Sequence, residues 1–301
     1  MVTPANIVAA VLLLIPYFAA AFFPRVTLRF VSLLPLTAQL AVPALLSIPY
    51  ALVTTAAHDF RWSWFTLYAG LPVAVAALLC QASHIDPADA AESSPDSPQR
   101  GNWRDFLVLA VIGLSVDLRW FERGWPAHLS IFNKVTLLDA GIYGFVLIRQ
   151  LGGTGFDLRL RLRDLAIGLR EVIFYTPIAL LLGLSLGFLH AHAVWPGMGA
   201  IAGAWLFTFF FIAVPEELFF RGWLQNLLEQ RIGRNAALIA TALLFGLAHF
   251  NKQTANFNWR YVLLAALAGV FYGRAWRTNR RVGASAVTHA TVDAIWSLWL
   301  R

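Results

Sequence analysis

The chain has 301 residues, of which 59% are hydrophobic and only 13% charged. Soluble domains carry about a quarter charged residues to cover their surface, so this composition excludes an ordinary soluble protein and leaves most of the surface facing lipid. The net charge of +7 comes from Arg residues clustered at the ends of apolar stretches, which makes them topology signals and contacts for lipid phosphate and excludes nucleic acid as the partner.

Apolar segments recur over 7–23, 31–56, 62–82, 105–118, 127–149, 165–190, 198–228, 236–250, 261–276 and 283–300. The first is followed by more of the same, which reads as a retained helix and not a cleaved signal. The second contains Pro35, Pro43 and Pro49, which kink a membrane helix without forbidding it, because neighbours satisfy the freed backbone groups. Segment 105–118 is short and holds Asp105 and Asp117, which suits a helix lying along the interface. The expected fold is all-α, a polytopic transmembrane helical bundle of eight to ten spans.

The stretch from Ile85 to Asn102 is rich in Asp, Pro, Ser and Ala without apolar periodicity. It reads as a solvated linker closing an N-terminal part, 1–104, ahead of a membrane-embedded part, 105–301. The one cysteine, Cys80, rules out an intrachain disulfide or a cysteine-based metal site. In the second half, one connection holds Arg159, Arg161, Arg163 and Arg170, another Arg231 and Arg234, and a third Arg274, Arg277, Arg280 and Arg281. The alternate connections hold only Lys252 and Arg260. The positive-inside rule makes the Arg-rich side cytoplasmic.

Ionisable groups inside apolar helices mark function by default, since a charged side chain at mid-membrane costs roughly 2.5–3.5 kcal/mol on insertion scales. Three helices carry them. The first reads Phe211-Ile-Ala-Val-Pro215-Glu216-Glu217-Leu-Phe-Phe-Arg221, the second Phe245-Gly-Leu-Ala-His249, and the third Ser285-Ala-Val-Thr-His289-Ala-Thr-Val-Asp293. Glu216 and His249 each lie about fourteen residues, roughly 21 Å of helix, from the connection between them, so they can meet across an antiparallel pair. His289 and Asp293 share a helix face. Each residue also has a plainer reading. Glu217 and Arg221, four apart, fit a structural ion pair; a lone His249 fits an interhelical hydrogen bond; Gly269 and Gly273, flanking Tyr272, fit a close-packing face; Asp139 and Lys134 fit a local pair; and His190 and His192 fit an exposed loop.

Glu216-Glu217-x-x-x-Arg221, Phe245-x-x-x-His249 and His289-x-x-x-Asp293, in this order on three apolar helices, resemble the three motifs of the CAAX protease and bacteriocin-processing family, the glutamic-type intramembrane proteases. The likeness covers about 165–300 and includes Gly269-x-x-x-Gly273 and Ser285. It implies an eight-helix core around a water-filled cavity facing the cytoplasm, and an intramembrane endopeptidase of the plasma membrane. In it Glu216 and His249 would activate a water while His289 and the residue at 293 stabilise the oxyanion, with Glu217 and Arg221 in support. No cofactor beyond the catalytic water is implied, and the partners are the bilayer and a membrane-associated protein or peptide: a prenylated C-terminal peptide, a leader peptide or a membrane-anchored tail. The best-known eukaryotic CAAX proteases have Asn at the last position, whereas Asp293 donates a hydrogen bond only when protonated and can instead orient His289.

Rival readings remain open on the residues alone. Glu216, His249, His289 and Asp293 are all competent ligands for a zinc-like ion, although no His-Glu-x-x-His helix occurs. A serine-type protease would use Ser285, but His289 lies on the same helix, where its base would not be expected. The same fold could serve as a non-enzymatic immunity or scaffold protein. A transporter would be expected to repeat a pair of broken helices, and none is evident.

Overall fold

The structure is a computed structural model that describes residues 3–84, 100–192, 195–251 and 256–300. Most of the linker expected after position 84 lies outside the described residues, as does Lys252. The described chain is helical, with no strand among the described residues. We number the helices α1 (Pro4–Phe22), α2 (Pro24–Ser32), α3 (Leu36–Ala56), α4 (Trp62–His84), α5 (Trp103–Asp117), α6 (Ala127–Ile148), α7 (Leu162–Ser185), α8 (Met198–Ile232), α9 (Arg234–Leu247), α10 (Trp259–Asn279) and α11 (Val282–Ile295), the last continued by a π-helical turn, Trp296–Leu300. Helix boundaries follow local chemistry. Thr3 caps α1 ahead of Pro4, and Asn102 and Asp105 form a capping box at α5, each satisfying N–H groups the helix itself cannot. Gly233, at φ +80°, breaks α8 from α9, a conformation that costs glycine nothing.

The protein is an integral membrane protein. Among the described residues six helices, α1, α3, α4, α6, α7 and α8, are long and apolar enough to cross a bilayer, against the eight to ten spans expected. The shortfall is in length and composition. Helices α5 and α9 have 15 and 14 residues, and 14 residues rise only about 21 Å against a hydrocarbon core of about 30 Å; α11 with its π-helical turn is longer but contains His289 and Asp293. Helix α10 has 21 residues but contains Arg260, Arg274 and Arg277.

The chain packs as two compact units, Met1–Gly152 and Gly153–Arg301. The boundary expected at 104/105 falls inside the first unit. There α5 packs on α4 and α6, and its buried Asp105 accepts a hydrogen bond from Arg149 at 3.2 Å, an ion pair that binds the start of α5 to the end of the unit. An aromatic core of Tyr50, Tyr68 and Trp125 fills the same unit. The local pair expected of Asp139 and Lys134 does not form: Asp139 is buried and Lys134 exposed, five residues apart and on different faces of α6.

In the second unit α7, α10 and α11 pack on one another, α9 packs on α10, and α8 packs on α11. Close approach is set by glycine. A Cβ at Gly246 would lie 2.5 Å from the Val262 carbonyl, and one at Gly269 3.1 Å from Ala242 Cα, so α9 and α10 touch backbone to backbone as the paired glycines suggested. Tyr175 Oη–H donates to the Leu264 carbonyl at 3.0 Å, and Trp205 Nε1–H to Thr291 at 3.0 Å. The three Arg-rich connections meet at one end of the unit. Arg281 donates to Asp157 and Asp164, Arg277 to Asn235, Arg280 to Glu229, and Arg170 to Thr278.

Candidate active site

Helix α8 presents Glu216, Glu217 and Arg221 from a stretch in which the α-helical turn Val214–Glu217 is bracketed by π-helical segments, Phe209–Ala213 and Leu218–Gln225. Such bulges are frequent at functional sites because they rotate side chains out of regular register. Glu217 and Arg221 are fully buried and paired, Arg221 Nη1 donating to Glu217 Oε1 at 3.0 Å, while Nη2 donates to the Gly269 carbonyl at 2.9 Å. The guanidinium also lies 4.6 Å over the Phe245 ring, a contact that stabilises a desolvated cation.

The pair does more than hold itself. Glu217 Oε1 also accepts from His289 Nδ1 at 2.8 Å, and Oε2 accepts from the Ser285 hydroxyl. His289, 2% exposed, is therefore fixed from behind. Its Nε2 faces Asp293 Oδ2 at 3.4 Å and Glu216 Oε2 at 3.9 Å, as the four-residue spacing of His289 and Asp293 anticipated. Ionised carboxylates only accept, so an imidazole between Glu217 on one nitrogen and Asp293 with Glu216 on the other is arranged to donate from both. Tyr272 stacks on the imidazole with centroids 4.6 Å apart and planes at 15°.

His249 lies on the turn just beyond α9 and not within a helix, because α9 ends at Leu247. Its Nδ1–H donates to the Phe245 carbonyl at 2.8 Å. A carbonyl can only accept, so in the neutral ring Nδ1 carries the proton and Nε2 the lone pair of a base. Phe245 touches both imidazoles, with centroids 4.9 Å from His249 and 5.6 Å from His289, and so spaces the two.

His249, His289 and Asp293 line a half-open cleft of about 90 Å³, with Tyr272, Tyr261 and Ala268 among its other walls. Its lining comes from the C-terminal half of α7, the N-terminal half of α10, the end of α9 and the C-terminal half of α11, down to Phe188, Leu189 and Leu300. That is the half of the unit away from the Arg-rich connections. Among the described residues no three His, Cys, Asp or Glu side chains are grouped to hold a metal ion.

Two participants escaped the sequence reading. Ser285 was counted only with the motif and as a rival nucleophile, and Tyr272 only as part of a packing face; the signal for both was their position, one turn before His289 and between the paired glycines. His190 and His192 are exposed, as expected.

Residues 198–295 match the family model of type II CAAX prenyl endopeptidase Rce1-like proteins, a family of membrane proteases. Comparison with curated proteins and with solved structures gives no match. The match runs from the start of α8 to the end of α11 and contains the three motifs, consistent with the CAAX protease and bacteriocin-processing resemblance.

Proposed function

We propose that this protein is an intramembrane endopeptidase that hydrolyses a peptide bond of a membrane-associated protein or peptide with a water activated by Glu216. The observation that carries the reading is the convergence of Glu216, Glu217 and Asp293 on the His289 imidazole at the wall of an apolar cleft, within the segment that matches a protease family. Glu216 takes a proton from the water, with the His249 Nε2 lone pair as the second acceptor, while the water oxygen attacks the scissile carbonyl. The tetrahedral oxygen accepts from His289 Nε2–H, a donor held in place by Glu217 on its far nitrogen and by Asp293 beside it. Glu216 then returns the proton to the leaving amine, and the C–N bond breaks. Arg221 and Ser285 act through Glu217 and do not touch substrate.

The test is cleavage of a library of membrane-anchored peptides by purified protein in detergent, comparing the parent, Glu216→Gln and the parent treated with a strong chelator. Glu216→Gln is expected to lose at least 10²-fold in rate, the range of a general base, and the chelator to change nothing. Loss under both treatments moves the reading to a metal-dependent hydrolase. A cellular phenotype that survives Glu216→Gln moves it to an immunity or scaffold role.

A further inference from the structure

We infer that helix α2 lies along the membrane surface and gathers anionic phospholipid, with its two arginines on lipid phosphates and its apolar face among the acyl chains. The inference concerns the first unit alone and does not depend on the endopeptidase reading.

The position follows from the neighbours in the chain. Helices α1 and α3 are both long and apolar enough to cross the bilayer, and α2 is the connection between them. Its nine residues rise about 14 Å against a hydrocarbon core of about 30 Å. Between two consecutive spans it can only rest at the surface where the first ends and the second begins. The break from α1 is local: Phe23, at φ −128° and ψ 49°, leaves the helical region, and Pro24 has no N–H to continue the helix. Thr27 Oγ1–H then donates to the Ala19 carbonyl at 3.0 Å, which folds α2 back onto the last turn of α1. Its other support is Tyr143–Ile148, the closing turn of α6 and the end of a third span. Tyr143 Oη–H donates to the Gln39 carbonyl near the start of α3 at 2.7 Å, so three span ends meet beneath α2.

Helix α2 has three faces. Thr27 and Val31, four apart, turn toward the protein, and Val31 is buried. Val26, Phe30 and Leu33, at i, i+4 and i+7, are 67%, 69% and 76% exposed. Arg25, Arg29 and Ser32, at the same spacing one residue earlier, are exposed as well. An apolar face adjoining a basic one is the pattern of a helix seated at the boundary of headgroups and acyl chains.

Charge then selects the lipid. There is no Asp or Glu in residues 1–58. Asp105, which meets Arg149 at the end of α6, is buried and already paired with it. Neither Arg25 nor Arg29 has an ion pair among the described residues, so α2 presents two uncompensated guanidinium groups, each a fork of donors that matches a phosphate. A zwitterionic lipid brings its own cation to the same place, whereas an anionic one brings phosphate without it. Each basic residue near an anionic surface is worth roughly fivefold in partitioning. The adjoining apolar face fixes the source of the phosphate as a lipid, since free phosphate would leave Val26, Phe30 and Leu33 in water.

The experiment reads the lipid next to α2 and needs no cleavage. In a Cys80→Ser background, Ser32→Cys carries a fluorophore, and the protein is placed in phosphatidylcholine nanodiscs. These contain an equal small fraction of either phosphatidylglycerol or phosphatidylcholine, spin-labelled high on the acyl chain as a quencher. Phosphatidylglycerol is expected to quench at least threefold more steeply than phosphatidylcholine. The ratio should fall to about one in Arg25→Gln/Arg29→Gln, and persist in Arg25→Lys/Arg29→Lys and in Arg163→Gln, whose charge is elsewhere. Equal quenching by the two lipids in the parent, or a preference that survives Arg25→Gln/Arg29→Gln, overturns the selection of anionic lipid. Quenching by neither lipid overturns the surface position itself, because α2 is then covered by protein or held in water.

Discussion

Replacing Arg221 with Met isolates what the buried pair on α8 contributes. Arg221 and Glu217 are both fully buried, with Nη1 and Oε1 3.0 Å apart. Without the guanidinium, Glu217 keeps only the donors of His289 and Ser285, and the Gly269 carbonyl loses its side-chain partner. Breaking one side of a buried pair costs about 3–5 kcal/mol, a large part of the 5–15 kcal/mol that domains typically have. The double variant Glu217→Gln/Arg221→Met removes both charges. Gln at 217 keeps a carbonyl oxygen for His289 Nδ1–H and offers its amide hydrogens to the Ser285 oxygen, so the main remaining loss is the charge-assisted hydrogen bond from Arg221 to the Gly269 carbonyl, about 1.5–3 kcal/mol. The double variant is therefore expected to be about 2 kcal/mol more stable than Arg221→Met alone. Equilibrium unfolding in mixed detergent, followed by tryptophan fluorescence, measures both. A cost under about 1 kcal/mol for Arg221→Met, or a double variant as costly as the two single changes combined, refutes the account.

His289→Gln removes the donor nearest the reacting carbonyl and should lower kcat by about 10²–10³ with little change in KM, as removal of an oxyanion donor does; steady-state kinetics on a cleaved peptide decides it. Gly246→Ala places a methyl 2.5 Å from the Val262 carbonyl, a rigid neighbour, and should destabilise by about 1–3 kcal/mol. Gly203→Ala, with nothing within 4 Å, should be neutral or stabilise by up to about 1 kcal/mol; thermal unfolding of the two variants side by side tests the contrast. Asp157 lies in the connection before α7, outside the spans. Burial raises its carboxyl, but hydrogen bonds from the Arg159 side chain and backbone, and from Arg281 with its charge, outweigh that and bring it down to about 2. Its contribution to stability is thus complete above the ordinary Asp range near 3.9 and is lost as the pH falls through about 2. Asp157→Asn should flatten stability against pH between about 4 and 2, read by the same unfolding assay.

What the sequence made legible was local: spacings of four, which fix a shared helix face. Glu217 with Arg221 and His289 with Asp293 follow from that periodicity alone, and each pair is present as a contact. What it hid was registered between helices. Ser285 meets Glu217 across 68 positions, and His289 meets it across 72, contacts set by how α11 packs on α8, with a π-helical bracket that no hydropathy pattern announces. The same distinction accounts for the span count and the unit boundary. Apolar runs mark what is shielded from water, whether by lipid or by protein, so α9, which ends at the site, reads as a span although it is short for one. The polar stretch before α5 read as a boundary, whereas the first unit continues to Gly152 and holds the buried Asp105–Arg149 pair. The cleft belongs to this class too: which residues of α7, α10 and α11 line it depends on the half of each helix that faces inward.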